Sequence, residues 1–191
     1  MNVADLLSAL RLGLAPVLLA LAWTGCGEAF VACLAVSLAT DVADGQIARR
    51  LGHASLRGAV LDSRADLATY TSLPFAAWWL RPEFVRAECR WLAVAVATYA
   101  LPVAIGYLKF GRLTSYHTRL ARLSAYAGGA SALVVFAGGP ALPFRLATAL
   151  LVLAEVEEIA ITAVLPEWRA NVRSLRHALD AARDWTVARD C

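Results

Sequence analysis

Long apolar runs dominate the chain, and polar clusters interrupt them at intervals that suit membrane-crossing helices. A short amphipathic start, Asn2 to Arg11, leads into a first span that ends near Trp23, with Pro16 placed to kink it. Further spans are expected over about Glu28–Ala48, Gly58–Leu80, Trp91–Tyr107, Leu120–Gly138 and Phe144–Leu165. The third closes on the interfacial pair Trp78–Trp79, and the fifth carries AYAGGASA, whose small residues permit close helix packing. Between the spans lie a turn around Gly52 and His53, the polar loop 81–90, the loop KFGRLTSYHTR at 109–119 and a Gly139–Pro140 turn. The pattern predicts an all-α integral membrane protein, a six-transmembrane-helix bundle with an N-terminal interfacial helix. The chain, 1–191, reads as one membrane domain, with a polar tail from 166 to 191 that runs helical along the membrane surface.

Composition supports this class: 60% of residues are hydrophobic and 17% charged. A net charge of +3 is too mild to suggest nucleic acid as a partner, so the placement of charge carries more information than its sum. Of the 18 Lys and Arg residues, Arg81, Arg86, Arg90 and Arg145 fall on one side of the six-span topology and the other 14 on the opposite side. That richer side holds both termini and the 49–57 and 109–119 loops, and the positive-inside rule makes it cytoplasmic. In a prokaryote the location is the cytoplasmic membrane. Asp5 ahead of the first apolar run and Arg11 within it argue against a cleaved signal peptide. Trp23 likewise fits poorly with a lipoprotein-type cleavage before Cys26. Cys26, Cys33, Cys89 and Cys191 have no CxxC spacing and read as free thiols or packing residues.

The chemistry concentrates in DVADGQIARRLGHASLRGAVLDSRAD, from Asp41 to Asp66. Asp41 and Asp44 share a helical face, and Gly45 and Ala48 continue that stripe with Arg49 at its edge. Gly58, Asp62 and Asp66 recur every four residues and form a second stripe. Two helices joined by the short turn would bring the stripes face to face around an acidic pocket. Four carboxylates so close need protonation or cations, and their hard oxygens suit two divalent ions, Mg2+ or Mn2+. Glycine and alanine leave room for a ligand beside the backbone, and Arg49 offers a planar fork to phosphate oxygens. Metals, phosphate and a base together suggest phosphoryl transfer. Pairing of the acids with Arg49, Arg50, Arg57 and Arg64 is the plain structural alternative, and it leaves the two glycines and the alanine unexplained.

This stretch resembles the signature of the CDP-alcohol phosphatidyltransferases, D-x2-D-G-x2-A-R-x8-G-x3-D-x3-D, with every fixed position filled by Asp41, Asp44, Gly45, Ala48, Arg49, Gly58, Asp62 and Asp66. The resemblance implies an enzyme that moves a phosphatidyl or related phosphoalcohol group from a CDP-linked lipid to a small alcohol and releases CMP. It implies metal binding by Asp41, Asp44, Asp62 and Asp66, with Asp66 also the general base. By the same resemblance the CDP moiety is held by Asp41, Asp44, Gly45, Ala48, Arg49, Gly58 and Asp62, and the protein is a homodimer in the lipid bilayer. Relatives that use glycerol phosphate usually carry Pro after the third Asp and Lys after the fourth. This chain has Ser63 and Leu67 there. LDSRAD is closer to the serine-using branch, and an inositol phosphate acceptor stays open.

Lys109, Arg112, Arg119 and Arg122 form a second, basic cluster. Ser115, Arg119 and Arg122 fall at helical spacing and could line the pocket as phosphate or acceptor ligands; the cluster reads equally as cytoplasmic flanking charge. His117 lacks a metal-ligand partner and reads as interfacial. Glu155, Glu157 and Glu158 lie inside the sixth span, where an ion pair with Arg119 or Arg122 is the first expectation and substrate contact the second. Two other classes stay open: a divalent-cation transporter and a non-catalytic membrane scaffold. A transporter would not need the glycines, Ala48 and Arg49 in register.

Overall fold

The computed structural model describes residues 3–51, 56–111, 116, 118–168, 172, 174–180 and 183, with side chains described at all of these except 3–5, 44–51, 56–60 and 62–63. Every element among them is helical: α1 (Val3–Trp23), α2 (Gly27–Leu51), α3 (Leu56–Leu80), α4 (Pro82–Ala87), α5 (Cys89–Phe110), α6 (Arg119–Phe136) and α7 (Leu142–Val164). The long helices fall on the stretches expected to span. Two expectations change. No separate interfacial helix precedes the first span, because α1 runs unbroken from Val3 to Trp23 through Arg11 and Pro16. The polar loop after α3 contains the short helix α4, with Pro82 in its first turn and Glu83 and Arg86 at the ends the helix dipole favours.

By length and apolar content, Leu6–Trp23 of α1 and Cys89–Phe110 of α5 are able to cross a membrane. The acidic motif breaks the apolar runs of α2 and α3.

The helices sort into two units. The first comprises Met1–Glu88 and Ala132–Pro140, and the second Cys89–Ser131 and Ala141–Cys191. In the first, α1 packs against both α2 and α3 and is its central element. The buried positions of α1 are Ser8, Arg11, Ala15, Leu18 and Ala22, spaced alternately three and four residues apart on one helical stripe. Phe30, Leu34 and Ser37 make the corresponding stripe on α2, and Ala65, Thr69, Ser72 and Ala76 on α3. Each stripe divides along its length. One half is apolar and joins Leu18, Ala22, Phe30, Leu34, Ala76, Ala77 and Phe136 into a core, in which the rings of Phe30 and Phe136 lie 4.5 Å apart. The other half is polar: Ser8 and Arg11 on α1, Ser37 on α2, Thr69 and Ser72 on α3. Alanines on α1 and α3 let the backbones approach closely. At the apolar end, Trp23 and Trp79 meet edge to face with centroids 5.1 Å apart, as expected of aromatic anchors at a membrane boundary.

In the second unit α5 packs against α7. The buried face of α5 includes Pro102 and Gly106, and that of α7 includes Ala147, Thr148, Ala154, Ile161 and Thr162. Tyr116, Ile161, Leu165, Val172 and Ala178 form a core beside the C-terminal end of α7, and residues 175–180 of the tail are helical. Large apolar side chains of α5 point outward, Trp91, Val94, Val96, Leu101 and Leu108 among them, as on a lipid-facing helix.

The C-terminal ends of α1 and α6 are closed in the same way. Beyond α6, Gly139 N–H donates to Val134 O at 2.8 Å and Gly138 N–H to Val135 O at 3.0 Å, with Gly138 at φ +87°. This is the paired-bond glycine cap that satisfies the last carbonyls of a helix. Arg81 adds a side-chain donor, its Nη2 giving a hydrogen bond to Phe136 O at 2.5 Å. A Cβ on Gly138 would meet that Nη2 at 3.0 Å on a backbone that L-residues avoid. Gly138→Ala is therefore expected to destabilise the protein by ~1–2 kcal/mol. Thermal unfolding in detergent checks this, and an unchanged midpoint would contradict the left-handed cap.

Candidate active site

The polar halves of the three stripes converge on Arg11. Its Nη1 donates to Asp41 Oδ1 of α2 and lies 3.3 Å from Asp66 Oδ1 of α3. One guanidinium thus ties together the first and the last carboxylate of the acidic motif. For the described members of the two acidic stripes, Asp41 and Asp66, a base from the first helix contacts both. Helical periodicity explains why these side chains share a level. Ser37 precedes Asp41 by one turn on α2, Thr69 follows Asp66 by one turn on α3, and Arg11 continues the buried stripe of α1.

A small cleft of about 10 Å³ lies at this level, lined by Arg11, Ser37, Leu38, Asp41, Asp66, Thr69 and Tyr70. Exposure is graded across it. Arg11 is 2% exposed, whereas Asp41 and Asp66 are 29% and 38% exposed, so the base forms the floor and the carboxylates open outward. Ser37 and Thr69 are 1% and 3% exposed. Ser37 Oγ and Thr69 Oγ1 find no hydrogen-bond partner among the described residues. Buried hydroxyls are normally satisfied, so two in one cleft mark a place built for a further polar group.

Of the residues the sequence assigns to this site, Asp41 and Asp66 are brought together. Asp44, Gly45, Ala48 and Arg49 fall within α2, and Gly58 and Asp62 within α3; their side-chain positions lie outside the described residues. Among the described residues no group of three acidic, His or Cys side chains gathers. The described acidic donors are two part-exposed carboxylates from different helices, of the oxygen type that a hard divalent ion takes.

The basic cluster lies in the second unit. Lys109 Nζ donates to Thr162 O at 2.7 Å and Ala163 O at 2.9 Å, carbonyls in the last turn of α7 that have no partner within the helix. A cation there also complements the helix dipole. Arg119 and Arg122 are exposed on the first turns of α6. Arg112, Ser115 and His117 lie outside the described residues. Tyr116 packs beside the same end of α7, where Thr162 Oγ1 donates to its phenolic oxygen at 3.3 Å. Burial chiefly pushes the Tyr116 phenol above its ordinary pKa, the charge of Glu158 adds to this, and the Thr162 hydrogen bond opposes it. Cys26, Cys33 and Cys89 are free thiols.

Arg11, Ser37 and Thr69 are the functional candidates that the sequence reading passed over. A lone Arg inside an apolar run was a usable signal, because ionisable residues at membrane depth face the bundle interior and find partners.

The described residues form an all-helical protein that buries a base beneath two carboxylates, with two helices long and apolar enough to cross a membrane. The profile of the family described as CDP-alcohol phosphatidyltransferase matches residues 1–166, and the chain belongs to that family. It is therefore a membrane-integral transferase of phospholipid biosynthesis, from a family that moves a phosphoalcohol from a CDP-alcohol to an alcohol and uses divalent metal ions. Neither a curated protein nor a solved structure matches the chain.

Lys109→Met is expected to lower stability by ~1 kcal/mol through loss of the α7 cap. Its KM for a CDP-linked donor should stay within about twofold of the parent, whereas a rise of about tenfold would make Lys109 a phosphate ligand.

Proposed function

We propose that the chain transfers the phosphatidyl group of CDP-diacylglycerol to a small alcohol and releases CMP, with Asp66 as the general base. The observation that carries this reading is the meeting of Asp41 and Asp66, from different helices, in one outward-opening cleft. They are the first and last acids of an eight-position signature filled without insertion.

In this reading Asp41, Asp44, Asp62 and Asp66 hold two divalent ions, Mg2+ or Mn2+, which supply charge neutralisation at the pyrophosphate. Arg49 orients the phosphates through its planar fork. Gly45, Ala48 and Gly58 keep the helix surfaces low enough for the cytidine to lie against them. Asp66 takes the proton of the acceptor hydroxyl as its oxygen bonds to the lipid-side phosphorus, while the bond from that phosphorus to the bridging oxygen breaks and CMP departs. No Ser, Cys or His occupies a fixed position of the motif, which favours direct in-line displacement over a covalent intermediate. Serine, glycerol 3-phosphate and inositol phosphate are the acceptors to compare, and Ser63 and Leu67 favour serine over glycerol 3-phosphate.

The six long helices cross the membrane, both termini and the acidic cleft are cytoplasmic, and two copies of the single domain pair in the bilayer. The charge asymmetry of the loops supports this orientation. Arg119 and Arg122 are the remaining described candidates for acceptor phosphate.

The test is CMP release from CDP-diacylglycerol by purified protein with each acceptor, with Mn2+ or Mg2+ and with a chelator. Release should require both metal and acceptor, stop on chelation, and fall at least about 100-fold in Asp66→Asn. Release that survives the Asp66 change would remove it as the base. Failure of every acceptor, together with no metal-dependent CMP binding, would favour a cation-transport or scaffold role.

A further inference from the structure

Arg11 already pairs with two carboxylates of the motif that the family's divalent ions would also draw on. The guanidinium already holds Asp41 Oδ1 and approaches Asp66 Oδ1 from the buried side of the cleft. Both carboxylates are part-exposed, 29% and 38%, whereas the guanidinium is 2% exposed. Two divalent ions beside a fixed guanidinium would face its charge at a separation of a few ångströms, in surroundings that screen poorly. Two hydroxyls, Ser37 Oγ and Thr69 Oγ1, lie one helical turn from those carboxylates on α2 and α3, line the same cleft, and have no hydrogen-bond partner among the described residues. They are buried acceptors that line the same cleft as the guanidinium.

We propose that Arg11 is the resident counter-cation of the motif, and that Ser37 and Thr69 receive its N–H groups when divalent ions take Asp41 and Asp66. Arg11 is thus a positioning residue. It keeps the two acidic helices together before metal binds and sets how tightly metal binds. The proposal rests on the reading of Asp41 and Asp66 as metal ligands.

The test uses the full chain in detergent and Mn2+ as the probe, with free Mn2+ followed by its EPR signal and thermal unfolding measured with and without the ion. Wild-type protein should bind Mn2+. Arg11→Gln should bind it at least about tenfold more tightly, since a competing charge is gone. It should also melt lower than wild type in chelator and show the larger Mn2+-induced rise in melting temperature. Arg11→Lys keeps the charge and should bind Mn2+ within about threefold of wild type. The Ser37→Ala, Thr69→Val double variant removes the alternative partners and should weaken Mn2+ binding at least about threefold with Arg11 present, but not when combined with Arg11→Gln. This last comparison stands even if Arg11→Gln alone fails to fold without metal, because that variant can be purified in Mn2+. Unchanged or weaker binding in Arg11→Gln overturns the competition, and additive effects of the two sets of changes overturn the exchange. Absence of Mn2+ binding by wild type would sink the metal-ligand reading itself, whereas wild-type binding that Arg11 does not influence would sink only this proposal.

Discussion

A charged side chain placed between membrane helices must find an opposite charge there, because the alternative costs roughly 2.5–3.5 kcal/mol even on insertion scales. In the first unit that requirement is met by three helices at once. Arg11 on α1 pairs with Asp41 on α2 and with Asp66 on α3, so one buried base holds acids of two other helices. The packing of α1 against both acidic helices follows from this pairing as much as from the apolar stripe that continues beyond it.

The division of each stripe into an apolar half and a polar half links packing to function. Leu18, Phe30, Leu34 and Ala76 close the core at one end, so the site at the other end rests on a rigid floor. Precise placement of the carboxylates needs such support. The glycine cap beyond α6, held by Arg81, fixes the chain where residues 132–140 rejoin this unit. The second unit is built by different means. Its α5–α7 contact uses small residues, and the last carbonyls of α7 are met by a lysine instead of a glycine cap.

Helix positions were legible in the sequence because apolar runs and charged loops alternate clearly, and the acid motif was legible because its spacing matches helical periodicity. Family membership followed from the same eight residues. Arg11 was harder to read. Its role depends on contacts with residues 30 and more positions away, which no local pattern encodes, and in isolation it looked like an interruption of an apolar run. Ser37 and Thr69 were invisible for a related reason: a hydroxyl in a membrane helix usually bonds its own backbone, as Thr71 and Ser72 do here. Only the packed helices reveal that Ser37 Oγ and Thr69 Oγ1 find no partner among the described residues. Lys109 was read by charge alone, and its proximity to the carbonyls of α7 depends on how α5 and α7 pack. The short α4 was hidden in a polar segment because Pro82 signals a helix start as readily as a loop.

The central claim is that the cleft between α1, α2 and α3 binds metal and nucleotide together. The most direct measurement is phosphorus NMR relaxation of CMP in the presence of Mn2+ and the purified protein, compared with an Asp41→Asn variant. The account predicts strong paramagnetic broadening of the CMP phosphate by protein-bound Mn2+, lost in the variant. Broadening no greater than that of Mn2+ and CMP without protein would contradict it.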